Sequence, residues 1–306
     1  INIYKNTVQQ KKLAQISDFS RMSWINVVNP TEDEKRKIEE LFNIPADVLD
    51  DSFDSFELPR VKMQNGNLII ILRIASKEGE KYATSPFTVI LNDSYIATIG
   101  LCMNELVDDF VSGKYEIITT QQSNFFIKIC HRIVDYYQNY IITINRSVGQ
   151  KRKNIRSINK NDIFFLVETE ETLNSMLASL NPTINVINKI LNYNHINLYR
   201  NDKELISDLL VDGQQVVELC GNTLRTIRNI RDGYTTVMSI NLNQIIELLT
   251  YITALFTIPM LVTSAYGMNL AMPFHAHPFA FVIVGAITLL LVVFGIWLFM
   301  YIRKRI

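Results

Sequence analysis

Apolar and polar positions along the chain follow three successive rhythms. Over roughly the first 115 residues, short runs rich in Ile, Val, Tyr and Thr recur between Asn, Asp, Gly and Pro, which predicts strands. They are "SWINVV" (23–28), "NLIIILRIA" (67–75), "PFTVILN" (86–92) and "SYIATIG" (94–100). Between the first two, "NPTEDEKRKIEELFNI" offers Asn29 or Thr31 as an N-cap, acids in its first turn, and Ile38, Leu41 and Phe42 on one face. That segment predicts a helix. From about residue 121 apolar residues return every three or four positions, the period of a helix. Two long helices follow, "FFIKICHRIVDYYQNYIITINRSVGQKRKNIR" and "DIFFLVETEETLNSMLASLNPTINVINKILN", the second bent or interrupted at most by Pro182. A third helical run starts near Asn201 and meets no strong stop, although Gly213, Gly221 and Gly233 each weaken it. Continued into the apolar region it would hold about 60 residues and measure roughly 90 Å. Such a rod cannot bury itself and needs neighbours.

The third rhythm is the loss of charge. From Leu248 to Ile302 there is no Lys, Arg, Asp or Glu. "LLTYITALFTIPMLVTSAYG" (248–267) has the ~20 residues that cross a ~30 Å hydrocarbon layer, and "PFAFVIVGAITLLLVVFGIWLFMYI" (278–302) can cross with some tilt. The alternative, a pair of buried core helices, sits poorly with runs this long that lack a polar face. The fold class predicted is therefore an α+β cytosolic domain, a small sheet with helices, plus long stalk helices and two C-terminal transmembrane helices. Its expected divisions are a cytosolic α/β domain (1–120), a cytosolic helical hairpin region (121–200), a stalk helix (201–247), a first transmembrane helix (248–267), an external loop (268–277), a second transmembrane helix (278–302) and a basic tail (303–306).

Composition adds direction rather than chemistry. The chain carries 30 basic and 30 acidic side chains, so no global field argues for nucleic acid. The opening "INIYKNTVQQKKLAQISD" is mixed and polar and does not resemble a signal peptide, which places the large N-terminal part in the cytosol. Two spans return the chain to the same side, and Arg303, Lys304 and Arg305 follow the second span as the positive-inside bias expects. The expectation is a two-span protein of the cell membrane with both termini cytosolic. Cys102, Cys130 and Cys220 have no ligand-like spacing and read as reduced structural thiols.

No G-x-S-x-G, HExxH, P-loop or G-x-G-x-x-G occurs, and His131 and His195 are scattered, so the chain reads as a non-enzyme. His275 and His277 form an H-x-H pair with no Cys, Asp or Glu beside it, which favours a loop surface over a metal site. The first span is more informative. Asn243, Thr250, Thr253, Thr257 and Ser264 recur at helical steps and lead to Gly267 and Asn269, whereas Thr288 is the only hydroxyl of the second span before Tyr301. Such residues pack between helices or line a water-filled path. One polar helix shielded by one apolar helix suits a ring of copies around a pore, since two spans cannot enclose one. Ile246 and Leu249 would then form apolar rings that gate by dewetting.

"YGMN" after a charge-free span, then a short loop, a second span and a basic tail, resembles the CorA-type magnesium transporter family. "SWINV" (23–27), "VLDDSFDSFELPRV" (48–61) and "NLNQIIELLT" (241–250) resemble stretches found in the same order in that family, so the likeness covers nearly the entire chain. The resemblance implies a funnel-shaped homopentamer in which Gly267, Met268 and Asn269 form the selectivity filter. Asn269 would present a ring of carboxamide oxygens to the water shell of Mg²⁺, an ion that dehydrates reluctantly. It also implies Mg²⁺ influx down the membrane potential, closed by cytosolic Mg²⁺ held between subunits at Asp51 and Asp208, with Asp50 and Asp212 close enough to assist. Without the resemblance, Asp50, Asp51, Asp54 and Glu57 read as solvated loop acids. Two departures stand out: "LAMPFHAHPF" has no acid to concentrate cations, and the basic tail is short. Transport of Co²⁺, Ni²⁺ or Zn²⁺ is the alternative within the class. A non-conducting, membrane-anchored sensor or scaffold is the alternative outside it.

Overall fold

The computed structural model describes residues 1–7, 13–79, 81–101, 105–153, 159–192, 200–268, 273 and 278–303. Cys102, His195, Asn269, His275 and His277, together with Lys304 and Arg305, lie outside them. The described chain divides into two compact units, Ile1–Arg231 and Asp232–Ile306.

The first unit is built on a seven-stranded sheet of order β2-β1-β3-β7-β6-β5-β4. Its strands are β1 (Asn2–Lys5), β2 (Ala14–Ile16), β3 (Ser23–Val28), β4 (Arg60–Gln64), β5 (Asn67–Glu78), β6 (Lys81–Leu91) and β7 (Tyr95–Gly100). Among the described residues only β3 and β7 pair in parallel, with Trp24 opposite Ile96 and Val27 opposite Ile99; the other pairs are antiparallel. The helices are α1 (Glu32–Phe42), α2 (Ala46–Asp51), α3 (Glu105–Val111), α4 (Gln122–Lys153), α5 (Lys160–Asn192), α6 (Arg200–Tyr266) and α7 (Ala280–Arg303).

Successive strand residues point to opposite faces, and here both faces are covered. Trp24, Leu68, Ile70, Leu72, Val89 and Ile96 join one core with α3, α4, α5 and the first part of α6. Their neighbours Ile25, Val27, Ile69, Ile90, Ala97 and Ile99 join a second core with Ile38 and Phe42 of α1 and Val48 and Leu49 of α2. This is why the central strands read as unbroken apolar runs instead of alternating ones. Some polar side chains within them are paired: the Trp24 indole donates to Thr98 Oγ1 at 2.8 Å, and Thr98 donates to Asn26 Oδ1 at 2.9 Å, whereas the buried Ser23 Oγ and Thr88 Oγ1 have no hydrogen-bond partner among the described residues.

Thr31, one of the two predicted caps, closes α1 in a capping box with Glu34. Pro182 lies inside an unbroken α5, and neither Gly213, Gly221 nor Gly233 stops α6, which runs for 67 residues. Gly213 has a packing reason: a Cβ there would stand 3.0 Å from two carbons of the Ile184 side chain in α5. Pro86 sits inside β6 opposite Arg73 and has no N–H to give. Tyr137 of α4 donates its hydroxyl to the Arg73 carbonyl at 3.3 Å.

In the second unit the rest of α6 and α7 supply two helices long and apolar enough to cross a membrane. Their apolar windows are not buried in a single copy, which sets aside the buried-core alternative.

Candidate functional site

In the second unit, Asn243, Ile246, Leu249, Thr250, Thr253, Thr257 and Ser264 all lie on α6 and are all exposed in one copy. The hydroxyls share a local geometry. Thr250 donates to the Ile246 carbonyl at 2.8 Å, Thr253 to Leu249 at 2.8 Å and Thr257 to Thr253 at 2.7 Å. A hydroxyl has one proton and two lone pairs. With the proton committed to its own helix, each threonine presents only acceptor oxygen outward. That suits the outer face of a hydrated cation, whose waters point their O–H bonds away from the metal. Pro259 lacks an N–H and releases the Leu255 carbonyl from its helical partner, adding one more backbone acceptor on the same helix.

The helix ends at the glycine. Gly267 N–H donates to the Thr263 carbonyl at 2.9 Å, and Met268 N–H to the Ala265 carbonyl at 3.3 Å. A Cβ on Gly267 would lie 3.3 Å from the Thr263 oxygen and 3.5 Å from the Ser264 oxygen, so the backbone itself crowds any side chain there. Tyr266 donates its hydroxyl to the Pro273 carbonyl at 3.1 Å, tying the helix end to the following loop. Gly267 and Met268 are exposed at this end.

The acidic candidates belong to the first unit. Asp50 and Asp51 close α2; Asp208 and Asp212 lie one turn apart on the outward face of α6, opposite the buried Ile206 and Leu209. Among the described residues of a single copy, no group of three or more His, Cys, Asp or Glu could hold a metal. Asp208 and Asp212 make no ion pair among those residues. Asp50 and Asp51 do have partners, and here the structure adds residues that the sequence reading did not single out. Arg60, the first residue of β4, forks to Asp51 and Glu57, while Lys35 of α1 reaches Asp50 at 3.7 Å. Beneath the loop, the buried Arg73 guanidinium donates to the carbonyls of Ser55 and Glu57, both at 2.9 Å, and to that of Thr84 at 2.7 Å. Arg60 was visible in "VLDDSFDSFELPRV"; its signal is a fork-shaped cation placed nine residues after Asp51.

A second charged cluster also escaped the sequence reading. Asp109 of α3 accepts from Arg132 Nη2 at 2.6 Å, Tyr136 at 2.8 Å and Lys114 at 2.7 Å. Burial pushes its carboxyl up, but the donors Lys114, Tyr136 and Arg132 together hold it below the usual carboxylate range. Burial, then the neighbouring Asp109, push the Tyr136 phenol up. The cluster pins α3 to α4 and lies apart from the acidic loop in sequence.

An α/β unit whose last helix runs on as an apolar span, followed by one further span, defines a two-span membrane protein with a large extramembrane part. Residues 19–305 match the model of the CorA-like Mg²⁺ transporter protein family, and the chain belongs to that family. It is 22% identical to the cobalt/magnesium transport protein CorA of Methanocaldococcus jannaschii, over 96% of this chain and 95% of that protein. It is 20% identical to a putative metal ion transporter, YfjQ, of Bacillus subtilis, over 90% of this chain and 87% of that one. The complete structure of the CorA magnesium transporter from M. jannaschii superposes with a TM-score of 0.86 at 19% identity, over 98% of this chain and 96% of that one. The full-length structure of the CmaX protein gives a TM-score of 0.77 at 16% identity. The described residues share the CorA fold.

Proposed function

We propose that the chain assembles as a homopentamer in the cell membrane and conducts hydrated Mg²⁺ inward. The observation that carries this reading is the exposed, acceptor-only stripe of Thr250, Thr253 and Thr257, which leads toward Gly267-Met268-Asn269. A membrane anchor needs no such stripe. Inward passage of a double charge gains about 4.6 kcal/mol per 100 mV of inside-negative potential. Asn269 supplies the oxygen ring at the outer mouth; Ile246 and Leu249, exposed in one copy, supply apolar constrictions that dewet.

Regulation rests on Asp51 of one copy and Asp208 of its neighbour, assisted by Asp50 and Asp212. Carboxylates on two surfaces repel unless a cation lies between them, and carboxylate oxygen is the donor type that Mg²⁺ takes. The donor set fits: both pairs are accessible, and one copy alone does not complete a site among its described residues. Co²⁺ is the second cargo supported, because a named relative is a cobalt/magnesium transport protein. Ni²⁺ and Zn²⁺ remain competitors that an oxygen ring alone does not exclude. The test is flux into liposomes under an inside-negative potential, with Mg²⁺, Co²⁺, Ni²⁺ and Zn²⁺ in parallel. Mg²⁺ should enter, Asn269→Ala should stop it with the oligomer intact, and Asp51→Ala with Asp208→Ala should leave flux insensitive to internal Mg²⁺. No Mg²⁺ entry by folded protein would overturn the proposal.

A further inference from the structure

We infer that Arg60 is a built-in rival of the regulatory cation for Asp51, so that its guanidinium sets the Mg²⁺ concentration at which the site fills. This inference rests on the reading of Asp51 as a sensor. The loop that carries the acids is held in place by its own bonds. Phe53 N–H donates to the Asp50 carbonyl at 2.9 Å, Phe56 N–H to Asp54 Oδ1 at 2.9 Å and Glu57 N–H to the Asp54 carbonyl at 3.0 Å. Arg73 holds the same loop from the sheet side through Ser55 and Glu57. On this fixed frame Arg60 is placed to bridge the two ends, Nη2 to Asp51 Oδ2 and Nη1 to Glu57 Oε1.

Two consequences follow from charge. Arg60 engages only Oδ2 of Asp51, and a divalent ion drawn to the same carboxylate repels the guanidinium across it, so filling the site weakens or opens the Asp51–Arg60 pair. The opened cation is not left alone, because Glu57 keeps its other arm. In the empty state the pair, with Lys35 beside Asp50, offsets part of the negative charge that would drive neighbouring copies apart. Arg60 thus weakens Mg²⁺ binding and softens the cost of losing it.

The test is thermal melting of the purified full-length protein in detergent at increasing MgCl₂, reading the midpoint of Mg²⁺-dependent stabilisation. Arg60 and Asp51 are 44% and 37% exposed, so the pair is worth what exposed pairs usually are, and Arg60→Gln should lower the midpoint by about two- to five-fold. Arg60→Lys, a point charge that cannot hold both carboxylates as a fork, should fall between the two. Lys62→Gln, which removes an equal charge from the exposed part of the same strand, should leave the midpoint where it is. A midpoint that rises in Arg60→Gln makes Arg60 a positioning residue for Asp51 and overturns the inference; so does an equal fall in Lys62→Gln. Should Arg60→Gln fail to fold, Arg60→Lys decides by the same sign. Asp51→Ala separates the two readings. If it removes the Mg²⁺ response while Arg60→Gln leaves the midpoint unmoved, the sensor stands and the rivalry falls. If Asp51→Ala changes nothing, the sensor reading fails and takes the rivalry with it.

Discussion

Asp109→Asn tests how the first unit is held together, and its cost can be worked from the buried cluster. Asp109 and Arg132 are both 8% exposed, so neither charge has water in place of its partner. Removing one member of a buried pair costs about 3–5 kcal/mol, largely because the other charge is left uncompensated. Asparagine keeps one acceptor oxygen for Tyr136 or Arg132, Arg132 keeps its second carboxylate, Asp135 at 2.7 Å, and Lys114 is 59% exposed and recovers water, so the low end applies, about 3 kcal/mol. In a unit of this size each kcal/mol moves the melting temperature by roughly 2–4 °C, a fall of about 6–12 °C. Trp24 is fully buried in this unit and Trp297 is one of only two tryptophans, so Trp24 fluorescence in a Trp297→Phe background reports the melt of that unit. The pH dependence has a definite sign. The Asp109 carboxyl is held below its unfolded value of about 3.9, so the contribution is complete above that pH and is lost as pH falls through the folded value. The gap between wild type and Asp109→Asn should therefore be full at pH 7 and shrink below about pH 4. A gap under about 1 kcal/mol at pH 7, or one equally large at pH 3, would refute the reasoning.

Two glycines of α6 should respond in opposite directions. Gly213→Leu must displace Ile184 and should destabilise by about 1–3 kcal/mol, whereas Gly221→Ala meets nothing within 4 Å and should stabilise by up to about 1 kcal/mol, both read by thermal melting. In the stripe, Thr253→Val keeps the shape and removes one acceptor per copy, and should lower Mg²⁺ flux in liposomes by about 2- to 10-fold. Thr253→Ser should conduct near the wild-type level, and a Val variant that conducts equally well would remove Thr253 from the path.

Long-range order in the first unit was legible where a segment's own residues decide its state. The four strands read from Ile, Val, Tyr and Thr runs all form, the first of them with the same ends, because each is buried on both faces and needs no context to be apolar. Strands β1, β2 and β4 were missed for the opposite reason. They lie at or next to the sheet's edges; β2 and β4 are mostly exposed and carry Gln, Arg and Lys, so only their neighbours make them strands. Pro182, Gly213 and Gly221 gave warnings that packing outweighed, since propensity is worth at most a few kcal/mol against the face that α5 and the first part of α6 bury. At the site, the acids were visible as acids. Arg60 stood in the same stretch, but its pairing with Asp51, that of Lys35 with Asp50 and the Arg73 bonds to the loop carbonyls were not legible, because they depend on how α1, α2 and the β4–β6 strands come together.

Back-bonding by threonine does not by itself mark an ion path, and α7 shows why. Thr288 donates to the Val284 carbonyl at 2.7 Å, the same bond that the α6 threonines make, yet it is half-buried and alone on its helix. What separates α6 is repetition on an open face. Thr250, Thr253 and Thr257 recur at three- and four-residue steps on the same part of the helix as Leu249, which is 61% exposed, and Ile246, which is 59% exposed. A lipid-facing helix would keep the apolar residues and drop the hydroxyls; a helix facing bulk water would do the reverse. A face that mixes both, with its hydroxyl protons turned inward, fits the proposed water-filled path, wetted along its polar positions and narrowed by dewetting at its apolar ones. On that reading, gating and conduction depend on the same stripe: in liposome flux, Leu249→Ser should wet the constriction and raise Mg²⁺ leak while Thr253→Val should lower the flux, and a Leu249→Ser variant with unchanged leak would remove Leu249 from the constriction.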